Sequence, residues 1–170
     1  MANIKEYLTF KIGKEEFGVE ILRVQEIRGW EKPSPLPNVP SFVKGVVDLR
    51  GIIVPILDLR NRFNLKAEYS PTTVVIVVNV LTTQGERVVG LVVDAVSDVQ
   101  SIDLDNLQPP PEVSASIESH FIIGLTTLHE TLGQEYEQNK KPSGKGKMVI
   151  IMDIDRLASE GLINDITAQI

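Results

Sequence analysis

Short runs of alternating apolar and polar residues characterise the start of the chain. Residues 8–12 (Leu-Thr-Phe-Lys-Ile) and 17–21 (Phe-Gly-Val-Glu-Ile) both follow a two-residue period, with a turn between them. This is the period of β-strands, whose successive side chains point to opposite faces. The pattern therefore predicts a hairpin. Residues 21–29 carry apolar side chains three apart, which predicts one helical turn that runs into a strand.

Prolines and glycines separate the later apolar runs. Four of the nine residues from 32 to 40 are proline, which predicts a stiff extended connection. Further strands are predicted over 42–49, 52–59, 72–81, 87–93, 96–102, 121–128 and 148–154, and a helix over 155–170. Residues 129–147 form a long polar excursion, for which we expect a mobile loop.

The two halves of the chain repeat one pattern. The matched segments are 17–19 with 89–91, 24–27 with 96–99, 41–45 with 120–124, and 56–59 with 151–154. Short, evenly spaced strands with glycine and proline turns favour small barrels over a sandwich. Because each half is too small for a large core of its own, we expect the two to pack tightly together.

Composition restricts the classes of function. A chain of 170 residues forms one domain, or two very small ones that share a core. The net charge of −6 argues against a nucleic-acid partner. The absence of cysteine excludes disulfides, thiolate metal sites and cysteine nucleophiles. The N-terminus lacks a signal-peptide pattern, and the apolar runs are too short to cross a bilayer, so we expect a cytoplasmic protein.

Candidate catalytic groups are few. His120 and His129 have no metal-ligand spacing, so we expect neither a metal nor a cofactor. Asp58 and Asp153 end matched strands, and a pair of carboxylates could perform acid/base chemistry in a small hydrolase. Their repetition at matched strand ends favours an architectural role. We therefore expect that the protein is not an enzyme.

One arginine is not explained by the predicted hairpin of residues 42–59. The turn needs Gly51 for its backbone freedom, but it does not need Arg50. We place Asp48 and Arg50 on one face of the first strand, since side chains two apart in a strand point the same way.

The second half of the chain suggests why Arg50 is present. It keeps an acid, Asp98, at the position of Glu26, but has His129 where the first half has Arg50. The repeated scaffold thus tolerates the loss of this arginine. An ordinary surface ion pair would contribute at most about 1 kcal/mol. We predict that Arg50 serves a binding partner more than the fold.

Several of these segments carry a family resemblance. They are residues 17–19, 21–29, 42–51, 53–60 and 87–99, with a Leu-Arg-Gly motif at 49–51 before a proline-containing strand. They resemble the CheW family of bacterial chemotaxis coupling proteins over roughly residues 5–160. The resemblance implies a mainly β fold of two SH3-like five-stranded barrels packed together, with short helices including one at the C-terminus. The expected subdomains span about 15–70 and 72–155, and terminal strands of one subdomain can be exchanged with the other. Residues 161–170 are expected to form a C-terminal tail.

The resemblance also implies a function. Members of the family are non-enzymatic adaptors that bind the cytoplasmic hairpin tip of chemoreceptors and the regulatory domain of the histidine kinase CheA. We therefore expect a cytoplasmic protein that is recruited to membrane receptor arrays without inserting into the membrane. An alternative is a scaffold in a chemotaxis-like pathway that controls motility or surface sensing. The excursion at 129–147 departs from the shorter turn of the family.

Residues at the matching positions are the predicted partner-binding site: Val24, Glu26, Ile27, Asp48, Arg50, Gly90 and Val99. We expect a receptor helix to lie in a groove between the halves, on an apolar floor that includes Val24 and Ile27. Glu26 and Arg50 would set its register at the rim. The second-half positions would serve the kinase contact, although a tight backbone site at Gly90 and a core position at Val99 are the alternatives.

Overall fold

The computed structural model describes residues 3–62, 65, 66, 68–82, 85–109, 122–128 and 147–158. The strands are β1 (Ile4–Ile12), β2 (Glu15–Glu20), β3 (Val24–Gly29), β4 (Val43–Leu49), β5 (Ile52–Asp58), β6 (Val74–Thr82), β7 (Gly85–Val93), β8 (Ala95–Asp103), β9 (Ile122–Leu128) and β10 (Lys147–Met152). The helices are α1 (Leu59–Arg62) and α2 (Ile154–Ala158), and the 3₁₀ turns are Ile21–Arg23 and Leu104–Asn106.

The predicted strands are present. The helical turn that runs into a strand is confirmed as Ile21–Arg23 followed by β3, and β1 begins at Ile4 rather than at residue 8. The predicted C-terminal helix is described only as far as Ala158, and the excursion at 129–147 lies outside the described residues except for Lys147. Within the described part of the chain the longest helix has five residues, and none has the length or apolar run of a membrane span.

The described strands form two five-stranded sheets, and each sheet combines strands from both halves of the chain. Sheet 1 has the order β8-β1-β2-β10-β9, and sheet 2 has the order β3-β6-β7-β5-β4. The hairpin β1–β2 thus pairs with strands of the second half, and β6–β7 with strands of the first. The expected boundaries of 15–70 and 72–155 do not follow the sheets, because each half gives a whole hairpin to the other.

Each sheet curls until a segment beyond one edge strand meets the opposite edge strand. In sheet 2, Ser34 follows β3 and exchanges two backbone hydrogen bonds with Val46 of β4, at 2.9 and 2.8 Å. In sheet 1, Gln108 follows β8 and exchanges two with Leu125 of β9, both at 2.8 Å. These bridges close both sheets, which agrees with the predicted pair of five-stranded barrels.

Two matched glycines allow these closures. A Cβ atom added at Gly45 would lie 2.0 Å from the carbonyl oxygen of Ser34, and one added at Gly124 would lie 2.8 Å from Cβ of Leu107. The crossing backbone therefore occupies the space that a side chain would need. The repeat of Gly45 and Gly124 in the two halves has the same physical cause at both places.

Three apolar cores result from this arrangement. A central core between the barrels includes Phe10, Phe17, Ile76 and Leu91, so both sheets contribute to it. Each barrel also has its own interior. The interior of sheet 2 contains Leu49, Val54, Ile56, Val75, Val77 and Val92, and that of sheet 1 contains Tyr7, Ile102, Val149 and Ile151. Strands such as β6 are buried on both faces, which explains their unbroken apolar sequence.

Candidate partner-binding site

A two-residue turn, Arg50-Gly51, joins β4 to β5. Leu49 pairs with Ile52 across it, and φ is +53° at Arg50 and +89° at Gly51. The Asp48 carboxylate accepts the N–H of Gly51 at 2.8 Å. The prediction that Asp48 and Arg50 share one face of a strand is wrong, because the strand ends at Leu49 and Arg50 belongs to the turn.

The backbone of Arg50 is strained for its residue type. Left-handed φ values cost a residue with a Cβ atom about 1 kcal/mol or more, and tight hairpin turns normally use glycine, asparagine or aspartate there. An arginine at this position is therefore not selected by the turn. Strained positions of this kind concentrate at functional sites, which strengthens the hypothesis that Arg50 binds a partner.

Arg50 forms an ion pair with Glu26 of β3, and Arg28 lies 3.9 Å from the other carboxylate oxygen. β3 and β4 are the two edge strands of sheet 2, so the pair spans the place where the barrel closes. The side chain of Arg50 is 74% exposed, whereas that of Glu26 is 25% exposed. Because solvent screens such a pair, its contribution to stability is at most about 1 kcal/mol.

β3 has a bulge beside this ion pair. The pairing of β3 with β6 shifts by one residue between Val24 and Glu26, which leaves Gln25 as the extra residue. Val24 packs against the central core, whereas Ile27 is 45% exposed. β3 thus carries an exposed apolar residue, Ile27, directly after the acid of the ion pair.

Val99 lies on the other barrel, in β8, which is the counterpart of β3. It is 41% exposed, close to the value for its matched residue Ile27, so the alternative of a core position is wrong. The neighbouring Asp98 carboxylate accepts the N–H of Val99 at 2.8 Å. The structure therefore does not bring Val99 together with Arg50, but it repeats an exposed apolar residue next to an acid on the second barrel.

Gly90 lies inside the barrel of sheet 2. A Cβ atom added there would lie 2.7 Å from Ile56 and 2.7 Å from Val75, both in the interior core. The tight packing suggested as its alternative role is therefore present. Because Gly90 is buried, it could affect a partner only through the shape of the barrel.

Sequence reasoning missed a buried ionic cluster around Arg60. Its guanidinium donates to both oxygens of Asp58 at 2.8 and 2.9 Å, to Asp94 at 2.7 Å, and to the carbonyl of Glu68 at 2.8 Å. Burial lowers the pKa of Arg60, but the bonds and charges of Asp58 and Asp94 outweigh it and raise the pKa above its usual value. The only sequence signal was an Asp-Leu-Arg run directly after an apolar strand.

Two aromatic rings cover this cluster. Tyr69 donates to Asp58 at 3.1 Å and stacks on Trp30 with ring centroids 4.3 Å apart. The Arg60 guanidinium lies 4.9 Å from the Tyr69 ring centre. Burial and the Asp58 carboxylate raise the pKa of Tyr69.

The geometry does not support the hydrolase alternative. Asp58 is fully buried and engaged by Arg60, whereas Asp153 accepts the N–H of Arg156 at 3.1 Å, which caps the start of α2. The two carboxylates thus have separate structural partners. In the parts of the chain that the structure describes, no cluster of three or more acidic or histidine residues could hold a metal ion. His120 and His129 lie outside those parts.

Comparisons with known proteins show the family of this chain. The family model for the CheW-like domain matches residues 6–161. The chain belongs to the CheW family. It is 42% identical over 156 residues to the chemotaxis protein CheW of Klebsiella aerogenes, a match that covers 91% of this chain and 82% of that protein.

Two further similar proteins extend this comparison. The crystal structure of the scaffolding protein TtCheW from Thermoanaerobacter tengcongensis matches with a TM-score of 0.68 and 30% identity, and the match covers 90% of each chain. The protein FrzA of Myxococcus xanthus is 32% identical over 120 residues, which cover 69% of this chain and 72% of FrzA. The SH3-like double-barrel expectation is consistent with the TtCheW neighbour.

Proposed function

We propose that this chain is a scaffold of chemotaxis signalling, which couples chemoreceptors to the histidine kinase CheA. The family membership supports the scaffold role. The observation that carries the coupling role is Arg50, an exposed arginine that occupies a left-handed turn position and pairs with Glu26. The fold does not require an arginine there, so a partner is the simplest reason for its presence.

We propose that the partner at this surface is an amphipathic receptor helix. Its apolar side would contact Ile27 and the exposed edge of Val24, and its polar side would reach Glu26 and Arg50. A receptor changes kinase activity through such a contact only if its signalling states bind the scaffold with different affinities. Asp48 contributes indirectly, because its carboxylate holds the Gly51 N–H and thereby the turn that presents Arg50.

Reversal of the charge at Arg50 tests this proposal. We expect Arg50→Glu to weaken co-sedimentation with a receptor cytoplasmic fragment and CheA about tenfold, with a matching loss of kinase activation. Its melting temperature should remain close to that of the parent, because the lost ion pair is exposed. Arg50→Asn should weaken binding likewise without loss of stability, since asparagine accepts a left-handed backbone readily.

Lys66→Glu is the matched control, because Lys66 is 87% exposed and pairs only with the exposed Glu68 among the described residues. It should leave co-sedimentation unchanged. Intact binding of Arg50→Glu together with a large loss of stability would show that Arg50 serves the fold. Co-sedimentation also distinguishes the two pathways. A scaffold for motility or surface sensing would bind the receptor and kinase of that pathway in place of the chemotaxis receptor and CheA.

We further propose that Val99 on the second barrel contacts the kinase. Val99→Glu should reduce retention of CheA about tenfold while receptor binding is preserved. Ile4→Glu is the control, because Ile4 is 58% exposed in the same sheet but lies outside the predicted site. Equal effects of the two substitutions, measured by pulldown of isolated CheA regulatory domain, would refute a specific role for Val99.

A further inference from the structure

Two ion pairs fasten the interlocked halves at corresponding places, but with their charges reversed. Arg60, just after β5, donates to Asp94 in the link from β7 to β8 at 2.7 Å. Asp155, just after β10, accepts from Arg23 in the link from β2 to β3 at 2.8 and 2.6 Å. In both cases a residue that follows the last strand of one half meets a link residue of the other half.

The repeat of the two halves makes this reversal clear. Asp58 matches Asp153, and the residues two positions later are Arg60 in the first half and Asp155 in the second. Asp94 and Arg23 occupy the matched links, one position apart in the alignment of the halves. The first half thus carries a cation at both places, and the second half carries an anion at both.

Each aspartate also fastens a hairpin through backbone hydrogen bonds. Asp94 accepts the N–H of Gly13, in the turn of the hairpin β1–β2, at 2.6 Å. Asp155 accepts the N–H of Leu81, near the end of β6, at 2.7 Å. The hydrogen bond to Asp155 raises the pKa of Arg23. The two ion pairs therefore lie where the exchanged hairpins meet the rest of each barrel.

Interlocked repeats could pair in a second way. Because each half gives a hairpin to the other, two chains could in principle pair first half with first half and second half with second half, as a strand-exchanged dimer. In such a dimer Arg60 would face Arg23, and Asp155 would face Asp94. Both contacts would place like charges together in a partly buried setting, where solvent screens them less than at the surface.

We propose that the reversed ion pairs select the partner of each half: they favour pairing of the two unlike halves and reject the like half of a second copy of this chain. The specificity resides in Arg23, Arg60, Asp94 and Asp155. It concerns the assembly of the fold itself, so it does not depend on the proposed role in chemotaxis.

The exchange Arg23→Asp with Asp155→Arg tests this directly, because both halves then carry a cation after the last strand and an anion in the link. Like halves become complementary, while unlike halves within one chain keep an ion pair. After denaturation and refolding of the full chain at high concentration, we expect the ratio of dimer to monomer to rise about tenfold over the parent. Size-exclusion chromatography with light scattering measures this ratio, and the dimer should persist on dilution because its separation requires unfolding.

The matched control exchanges another ion pair, Lys5→Glu with Glu20→Lys. This pair lies within a single hairpin, so its exchange does not change the charges that the two halves present to each other. It should refold with the parent ratio of dimer to monomer.

The neutral variant Arg23→Gln with Asp155→Asn covers the case in which the charge exchange does not fold, and it should give an intermediate rise in this ratio. The proposal is overturned if the charge exchange, or the neutral variant where the charge exchange does not fold, gives the parent ratio of dimer to monomer. It is also overturned if the control gives an equal rise, or if the dimer separates at once on dilution.

Discussion

Gly45→Ala is expected to destabilise the protein by about 3–5 kcal/mol, a loss typical of severe backbone and packing conflicts. The added methyl group would lie 2.0 Å from the Ser34 carbonyl oxygen, and φ at Gly45 is +136°, which alanine rarely adopts. Relief requires the crossing segment to move away from β4, which breaks the two hydrogen bonds that close the barrel. Urea denaturation followed by the fluorescence of Trp30, the single tryptophan, measures the loss.

The control for this substitution is Gly29→Ala. Gly29 lies in β3 of the same sheet, and no atom lies within 4 Å of the position that its Cβ would take. We expect a change of less than about 1 kcal/mol there. If Gly45→Ala costs no more than Gly29→Ala, the close crossing of the Ser34 segment over β4 is not a feature of the folded protein.

Arg60→Met is expected to cost about 3–5 kcal/mol, the usual result of removing one partner from a buried ion pair. Methionine would leave the fully buried Asp58 with a charge that Arg60 no longer neutralises, and Asp94 would lose its ion-pair partner in the other half of the chain. The stack of Trp30 on Tyr69 covers the cluster, so the fluorescence of Trp30 should also change in the folded state.

Two further variants isolate the cause. Lys66→Met removes one partner of an exposed pair and should cost less than about 0.5 kcal/mol. Asp58→Asn combined with Arg60→Met should recover part of the loss, because no uncompensated charge then remains at Asp58. A double variant that is less stable than Arg60→Met by the full cost of Asp58→Asn would mean that the two residues act independently, contrary to the bidentate contact.

The strands and the internal repeat could be predicted because their signals are local. A two-residue period over residues 8–12 and 17–21 indicates strands wherever their partners lie, since alternation follows from backbone geometry alone. The repeat of Gly45 and Gly124 was visible as a match between halves, but its cause was not. The segments near Ser34 and Gln108 cross so close to these glycines that no side chain would fit there, and both segments are distant in sequence from the glycine that they cross.

The candidate site was predicted only in part. Arg50 was identified from the comparison of the two halves, and its exposure and its pairing with Glu26 are consistent with the expected role. The turn at Arg50-Gly51 was predicted, but Arg50 was also assigned to the same strand face as Asp48, whereas its left-handed backbone places it in the two-residue turn. Gly90 was grouped with the partner-binding residues, yet its surroundings are the interior side chains of Ile56 and Val75.

By itself the sequence determined the mainly β character, the duplication of the chain, the family resemblance and the arginine that the hairpin does not need. The tertiary structure alone decided that the halves exchange hairpins, that Arg60 is buried among carboxylates, and that the charges of Arg23 and Asp155 are reversed relative to Arg60 and Asp94. The physical reason is separation along the chain. Strand periods and turns are encoded by neighbouring residues, whereas strand partners and ion pairs such as Arg23 with Asp155 join residues that only the folded chain brings together.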